Sequence, residues 1–221
     1  MGRHLPFCVY DSGCRTPRSL PARFRPRSLR DGGQLDCTAR RESQIGCSGK
    51  SRRSMTEVHR ASAPPLSLSA IPLHIHEQAM RLAIAAARHN PSFPFGAVIV
   101  RAADRQIMAT GVNNGSANPI FHGEIVAITD YISRHGNQGW EEVILYATGE
   151  PCPMCMSALT WARVGGVVYG TSIETLRQAG IDQILLPAAA VINAAPFYRG
   201  ELLGGVLTSE TDILFANREH S

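Results

Sequence analysis

The sequence predicts an α/β fold in which helices cover both faces of a mixed sheet. Two observations predict this class. A helix and a hairpin open the regular part of the chain, and strands then alternate with helices to its end. The length of 221 residues suits one such domain plus an extension, and the chain contains no internal repeat.

Apolar periodicity places the first helix at residues 76–89. Met80, Ala83, Ile84 and Ala87 follow the spacing of one helical face. A segment rich in Asn and Pro then breaks the pattern. Two strands follow, at residues 95–100 and 106–112, and a polar turn joins them into a hairpin.

The second helix is predicted at residues 122–135. Ile125, Ile128 and Ile132 form its apolar face, and Gly136 ends it. The remaining predicted elements are strands at 142–147, 166–170 and 202–206 and helices at 152–163, 172–178, 187–193 and 208–216.

The basic charge of the chain is concentrated in its first 65 residues. They contain 13 of the 22 Lys and Arg residues and 5 acids, a formal charge of +8, whereas residues 66–221 carry −4. Binding to nucleic acid normally requires a basic patch that neutralises phosphates. The charge of residues 66–221 therefore argues against a nucleic-acid partner.

Residues 1–65 have the composition of an extension. They are rich in Arg, Ser, Pro and Gly and lack a sustained apolar period, which favours disorder. Two alternatives are a translation start at Met55, with an artefactual upstream segment, and an organelle transit peptide. No apolar run in the chain approaches the roughly 18 residues of a membrane helix. We therefore predict an N-terminal extension at 1–65 and one domain at 66–221.

Residues 66–221 contain two cysteines, Cys152 and Cys155. A disulfide scaffold would spread cysteines through the fold, whereas a single C-x-x-C beside a helix indicates metal or redox chemistry in a reducing compartment. We therefore expect a cytoplasmic protein.

The two cysteines belong to a larger pattern, H-x-E followed by P-C-x-x-C, that starts at His122 and Glu124. This pattern is the signature of zinc-dependent nucleobase deaminases. His122, Cys152 and Cys155 supply nitrogen and sulfur ligands, and three protein ligands leave the fourth position of zinc for water. Both cysteines lie at a predicted helix start, which puts their sulfurs on one side and stabilises thiolates.

Glu124 is the predicted proton carrier. Zinc lowers the pKa of bound water to roughly 7, which gives hydroxide at neutral pH. Hydroxide would attack an amino-bearing ring carbon, ammonia would leave, and a carbonyl would remain. Glu124 would take the proton of the water and pass it to a ring nitrogen and then to the leaving amine, an effect typically worth about 10²–10⁴-fold in rate.

Two other interpretations use the same residues. A redox C-x-x-C is possible in principle, but no thioredoxin-like context surrounds it. A structural zinc site would need a fourth ligand, for which His74, His76 and His135 are candidates. The complete pattern, with Pro151 at the second helix start, favours the catalytic site.

At this point the chain resembles the cytidine-deaminase-like superfamily and, within it, bacterial guanine deaminases. The resemblance covers roughly residues 72–216. It implies a three-layer α/β/α sandwich with a mixed five-stranded sheet, a homodimer and one catalytic Zn²⁺ per subunit. The stretches that carry it are PFGAVIV at 94–100, GVNN at 111–114, EPCPMC at 150–155, WAR at 161–163, AGID at 179–182 and PFY at 196–198.

The resemblance also assigns residues that bind the substrate. Asn113 matches an asparagine that hydrogen-bonds the base. Phe95 and Trp161 match aromatic residues near the pocket, although both also suit plain core packing. Tyr198 matches a C-terminal aromatic residue that closes the site, and a surface or dimer contact is its alternative.

The chain departs from the family pattern at two positions. Gly123 stands where the family usually has Ala between His and Glu, a small change if the site uses the backbone N–H. The guanine branch commonly has two consecutive acids after the A-G pair, and the second helps proton transfer. Here the pair is Asp182 and Gln183. Three explanations are open: Asp182 replaces the missing acid by a shift of register, Glu174 replaces it, or the substrate differs from guanine.

Three hypotheses for the function follow. The first is hydrolytic deamination of a purine base, guanine to xanthine, or of its nucleoside. The second is a tRNA adenosine deaminase that forms inosine, which would need a basic rim; the segment 208–221 instead has three acids and Arg218 as its one basic residue besides His220. The third is a binding or scaffold protein without turnover, against which the intact Glu124 argues. Cytosine or an aminated pterin remains an alternative substrate.

Overall fold

The computed structural model describes residues 66–219. The predicted extension at 1–65 lies outside these residues. Five strands form one mixed sheet in the order β2-β1-β3-β4-β5. β1 runs antiparallel to β2 and β3, whereas β3, β4 and β5 are parallel. The predicted α/β class with a mixed five-stranded sheet is confirmed.

The strands and helices alternate as predicted after the initial helix and hairpin. The strands are β1 (Gly96–Arg101), β2 (Ile107–Val112), β3 (Val143–Gly149), β4 (Gly166–Thr171) and β5 (Glu201–Leu203), and the helices are α1 (Leu73–Ala87), α2 (Gly123–His135), α3 (Pro153–Ala162), α4 (Ile173–Gln178), α5 (Ala188–Asn193) and α6 (Thr208–Ala216).

Apolar side chains cover both faces of the sheet, which makes three layers. On one face Ala127 of α2 and Leu159 of α3 pack against β1 and β3. On the other face Met80 and Ile84 of α1 pack against the opposite side of the same strands. Since alternate residues of a strand point to opposite faces, β3 is buried along its whole length.

The predicted apolar face of α2 is correct only in part, since Ile128 packs against the core but is only partly buried. The buried residues of the helix are Gly123, Glu124, Ala127 and Tyr131, whereas Ile132 is 44% exposed. The reason is the close approach of α2 to β2, where a Cβ on Gly111 would lie 2.0 Å from the carbonyl oxygen of Gly123 and 2.4 Å from the nitrogen of Ala127. Small residues must therefore face the sheet.

The fifth strand is shorter than predicted and begins earlier. It ends at Leu203, because Gly205 has a φ of +82°, outside the extended region, and the chain turns there. Val206 is buried nevertheless, as part of the cluster against α1. Within residues 66–219, every helix is too short or too polar to cross a bilayer.

Candidate active site

The two halves of the H-x-E … P-C-x-x-C pattern meet at the starts of two helices. His122 immediately precedes α2, and Cys152 immediately precedes α3, where Pro153 takes the first helical position. Proline suits that position because its missing N–H would have no intrahelical partner. Cys155 lies one turn into α3 and is buried, whereas Cys152 is half-buried.

The ligand atoms are spaced as a tetrahedral zinc centre requires. The Nδ1 atom of His122 lies 3.5 Å from the sulfur of Cys152 and 3.6 Å from that of Cys155. With Zn–S bonds of about 2.3 Å and Zn–N bonds of about 2.0 Å, a tetrahedron separates nitrogen from sulfur by about 3.5 Å. The three residues therefore fit zinc.

No fourth His, Cys, Asp or Glu joins this cluster among residues 66–219. Two of the candidates for a structural site are used elsewhere: His76 bonds Tyr146 and the carbonyl of Leu68, and His135 bonds the carbonyl of Met108. Three protein ligands leave one position for water, which is the arrangement of catalytic rather than structural zinc.

Hydrogen bonds between the three ligand residues stabilise the thiolate form of Cys152. The hydrogen bond from Cys155, followed by that to His122, lowers the pKa of Cys152 to about 4. The same contact with Cys152, together with burial, raises the pKa of Cys155. The hydrogen bond to Cys152 raises the pKa of His122. The negative charge of the cluster therefore lies on the sulfur of Cys152, beside the imidazole of His122.

Glu124 lies in the first turn of α2 and is buried. Burial raises the pKa of its carboxyl group to about 7. A carboxyl group that titrates near neutral pH can both accept and donate a proton at working pH. Glu124 borders the same cavity as His122 and Cys152.

This cavity has a volume of about 690 Å³. It brings together six of the predicted residues. Polar side chains from the segments that follow α4 and α6 also line it. The predicted residues that line it are Phe95, Asn113, His122, Glu124, Cys152 and Asp182.

Phe95 and Asn113 form one side of the cavity. The ring of Phe95 packs on Phe215 at a centroid distance of 4.8 Å. The backbone N–H of Asn113 donates to the carbonyl of Phe95, and its side-chain oxygen accepts from the N–H of Gly115. These bonds fix the direction of the Asn113 amide.

Gly123 is fitted closely against the same segment. A Cβ at this position would lie 2.7 Å from the carbonyl oxygen of Phe95, closer than side chains and backbone normally approach. The glycine between His122 and Glu124 therefore allows α2 to start against the loop that carries Phe95.

Two of the predicted substrate-binding residues, Trp161 and Tyr198, do not line this cavity. Trp161 is 75% exposed and packs on Phe197. Tyr198 is buried among apolar side chains, and its hydroxyl donates to the carbonyl of Val164. Glu174 is exposed and paired with Arg177, away from the cavity lining.

Glu150 and Arg218 are among the polar residues of the cavity that sequence reasoning missed. Glu150 accepts two backbone N–H groups, and Arg218 donates to the carbonyls of Ala179 and Gly180. The first had a sequence signal, since it stands directly before the P-C-x-x-C motif. Arg218 had none.

The fold and the site define a zinc-dependent hydrolytic deaminase, and comparison with known proteins agrees. Residues 73–171 match the model of the cytidine and deoxycytidylate deaminase zinc-binding region. The chain belongs to this deaminase family, and Zn²⁺ is its cofactor.

Three relatives illustrate the similarity. Guanine deaminase of Bacillus subtilis is 35% identical over 132 residues, which cover 57% of this chain and 83% of the relative. The tRNA-specific adenosine deaminase of Rickettsia felis is 29% identical over 140 residues, 62% of this chain and 93% of the relative. The solved guanine deaminase of Nitrosomonas europaea superposes with a TM-score of 0.56 at 21% identity, over 63% and 81% of the two chains, and shows the shared fold.

Proposed function

We propose that the protein deaminates guanine to xanthine and ammonia. The observation that carries this proposal is the 35% identity to the guanine deaminase of Bacillus subtilis across 83% of that enzyme. The cavity supports it, because an aromatic ring and an amide at Phe95 and Asn113 suit a flat base with hydrogen-bonding edges.

The residues of the cavity would divide the work as follows. His122, Cys152 and Cys155 hold zinc, which supplies Lewis acidity that activates water near neutral pH. Glu124 takes one proton from the water and delivers it to a ring nitrogen, and the other proton of the water then passes to the amino group, which leaves as ammonia. Phe95 stacks on the base.

Asn113 and Asp182 complete the set on the substrate side of the cavity. The Asn113 amide hydrogen-bonds an edge of the purine, and the backbone N–H of Gly123 is available beside Glu124. Asp182 is the acid nearest in sequence to the family's second acid, and it borders the cavity whereas Glu174 does not. We assign Asp182 the second proton transfer.

A tRNA adenosine deaminase is the second candidate, supported by the 29% identity to the Rickettsia felis enzyme across 93% of its length. The charges of the cavity oppose it. Two exposed acids of the cavity lining, Asp182 and Glu219, stand against one arginine, Arg218, whereas the other two lining acids, Glu124 and Glu150, are buried. An RNA substrate would have to bring phosphates to this acidic rim.

The test is ammonia release by the zinc-loaded full chain with guanine, guanosine, adenine, cytosine and a tRNA. We expect turnover of guanine, absent in Glu124→Ala. Inosine in the tRNA without turnover of guanine would establish the second candidate instead. Turnover of cytosine or adenine alone would overturn the proposed base.

We also propose a homodimer. Ile132 on α2 and Trp161 on α3 are 44% and 75% exposed, large apolar residues on neighbouring helices. Burial of such side chains between two subunits would remove apolar area from water. Light scattering on the purified protein should give about 48 kDa, twice the chain mass of 23.9 kDa; a mass of one chain would contradict the dimer.

A further inference from the structure

Glu150 is a buried acid, 6% exposed, that stands between β3 and the zinc ligand Cys152. One carboxylate oxygen accepts the backbone N–H of Ile173 at 2.9 Å, and the other accepts that of Ala188 at 2.8 Å. Its own N–H donates to the carbonyl of Thr171 at 2.7 Å. Both oxygens are therefore engaged with backbone far away in the sequence.

The two donors are the ends of one segment. Ile173 is the first residue of α4 and Ala188 is the first residue of α5. Between them, Gly180, Asp182 and Gln183 line the same cavity as His122 and Cys152. We call residues 173–188 the substrate-side segment.

Apolar packing fixes the middle of this segment, where Leu176 and Ile181 are buried against Phe215. Residues 184–187 are exposed and form neither helix nor strand. On the C-terminal side, Arg218 holds the carbonyls of Ala179 and Gly180 at 2.6 and 3.1 Å. Glu150 is the contact that ties both ends of the segment to the chain that leads into the zinc site.

We propose that Glu150 is a positioning residue that sets the distance between the substrate-side segment and the zinc site. The proposal deepens the proposed function, because it is through Asp182 that the position of the segment would reach the chemistry. A displacement of about 1 Å between reacting groups can cost as much as 10²-fold in rate. A carboxylate suits the task, because it offers an acceptor to each of two N–H groups that a neutral side chain could not both satisfy.

Glu150→Gln is the sharpest variant. It preserves the size of the side chain but replaces one acceptor oxygen with an amide NH₂, which then faces a backbone N–H. One of the two bonds must break while the other remains. Because no zinc ligand is changed, the variant should still bind one zinc per chain.

The experiment combines kinetics with amide hydrogen exchange on the zinc-loaded full chain. We expect kcat to fall by up to about ten-fold, with a smaller change in KM, because the displaced segment carries a group of the chemical step. Peptides covering 180–188 should exchange about ten-fold faster, and peptides covering 122–135 should not change. An unchanged kcat together with unchanged exchange at 180–188 would overturn the proposal.

Glu201→Gln is the matched control, since Glu201 also accepts a backbone N–H, that of Leu68, but outside the cavity lining. It should leave kcat and exchange at 180–188 unchanged. If Glu150→Gln does not fold, Glu150→Asp repeats the test, because its shorter side chain cannot reach both donors. Failure of both variants to fold would make Glu150 a folding determinant and overturn its positioning role.

The exchange measurement separates this inference from the proposed substrate. If the wild-type protein does not turn over guanine, the proposed function fails, and the kinetic comparison moves to whichever base releases ammonia. Faster exchange confined to 180–188 would still support the positioning role. Faster exchange spread over 122–135 as well would mean that Glu150 only stabilises the fold.

Discussion

On the zinc side of the cavity, all three ligands lie at the starts of α2 and α3, two helices packed on the central strands. On the substrate side, the wall comes from loops around residues 90–95, 113–119, 180–183 and 218–219. The first side is a local pattern on rigid elements, whereas the second is assembled from distant, partly exposed backbone. The residues that carry out the reaction are therefore determined by local sequence, whereas the residues that select the substrate are brought together by long-range packing.

The largest effect should follow loss of a ligand on the zinc side. We expect Cys155→Ser to lose its zinc and its ammonia release, because a hydroxyl group is a poor substitute for a thiolate on zinc. A strong chelator should also remove zinc and activity from the wild-type protein. Added Zn²⁺ should then restore the activity of the chelated wild-type protein but not that of Cys155→Ser. Metal analysis and the ammonia assay measure both. Cys47→Ser, at a cysteine outside the described residues, is the control.

Glu124→Gln should come next. We expect kcat to fall by about 10²–10⁴-fold, because the amide cannot carry the proton. Zinc content should stay at that of the wild-type protein, since Glu124 does not belong to the ligand cluster. A variant that loses zinc together with activity would show that Glu124 supports the metal rather than the proton transfer.

Gly111→Ala tests whether the zinc side depends on the close packing of α2. The added methyl would meet the backbone of Gly123 and Ala127 at 2.0 and 2.4 Å. We expect a loss of about 1–3 kcal/mol in the free energy of unfolding, as for other overpacked sites, and weaker zinc binding because α2 begins beside His122. Denaturant titration measures the free energy of unfolding, and competition with a chelator measures the affinity for zinc.

Gly115→Ala is the matched control for stability, since its Cβ would meet only the side-chain oxygen of Asn113 at 3.6 Å. It should unfold at the denaturant concentration of the wild-type protein. If Gly111→Ala and Gly115→Ala were equally stable, α2 would be able to move away from the sheet without a loss of folding free energy.

The same contrast explains what the sequence could predict. The ligands and Glu124 follow from a pattern of five fixed residues, because the helix starts that carry them are local structures. The apolar face of α2 could be predicted only in part, since Gly111, on another element, decides that Gly123 and Ala127 face the sheet.

Long-range polar contacts were missed for the same reason. Glu150 and Arg218 are held by backbone groups far away in the sequence, and such contacts leave no periodicity. Trp161 was predicted near the pocket from its motif alone, yet it points away from the cavity of its own chain. A motif thus indicates which residue is present, but it does not indicate which other residues will surround it in the folded chain.

The smallest effect should come from the substrate side. We expect Asp182→Asn to lower kcat/KM by about ten-fold, because Asp182 is exposed and water can replace part of its role. Adding Gln183→Glu to that variant should restore activity if the acid is needed one residue later, as in the family pattern. Glu174→Gln, whose carboxylate is paired with Arg177 outside the cavity lining, should have the activity of the wild-type protein. If Glu174→Gln lowered kcat/KM and Asp182→Asn did not, the second proton transfer would belong to Glu174. That result would also show that the cavity wall rearranges when substrate binds.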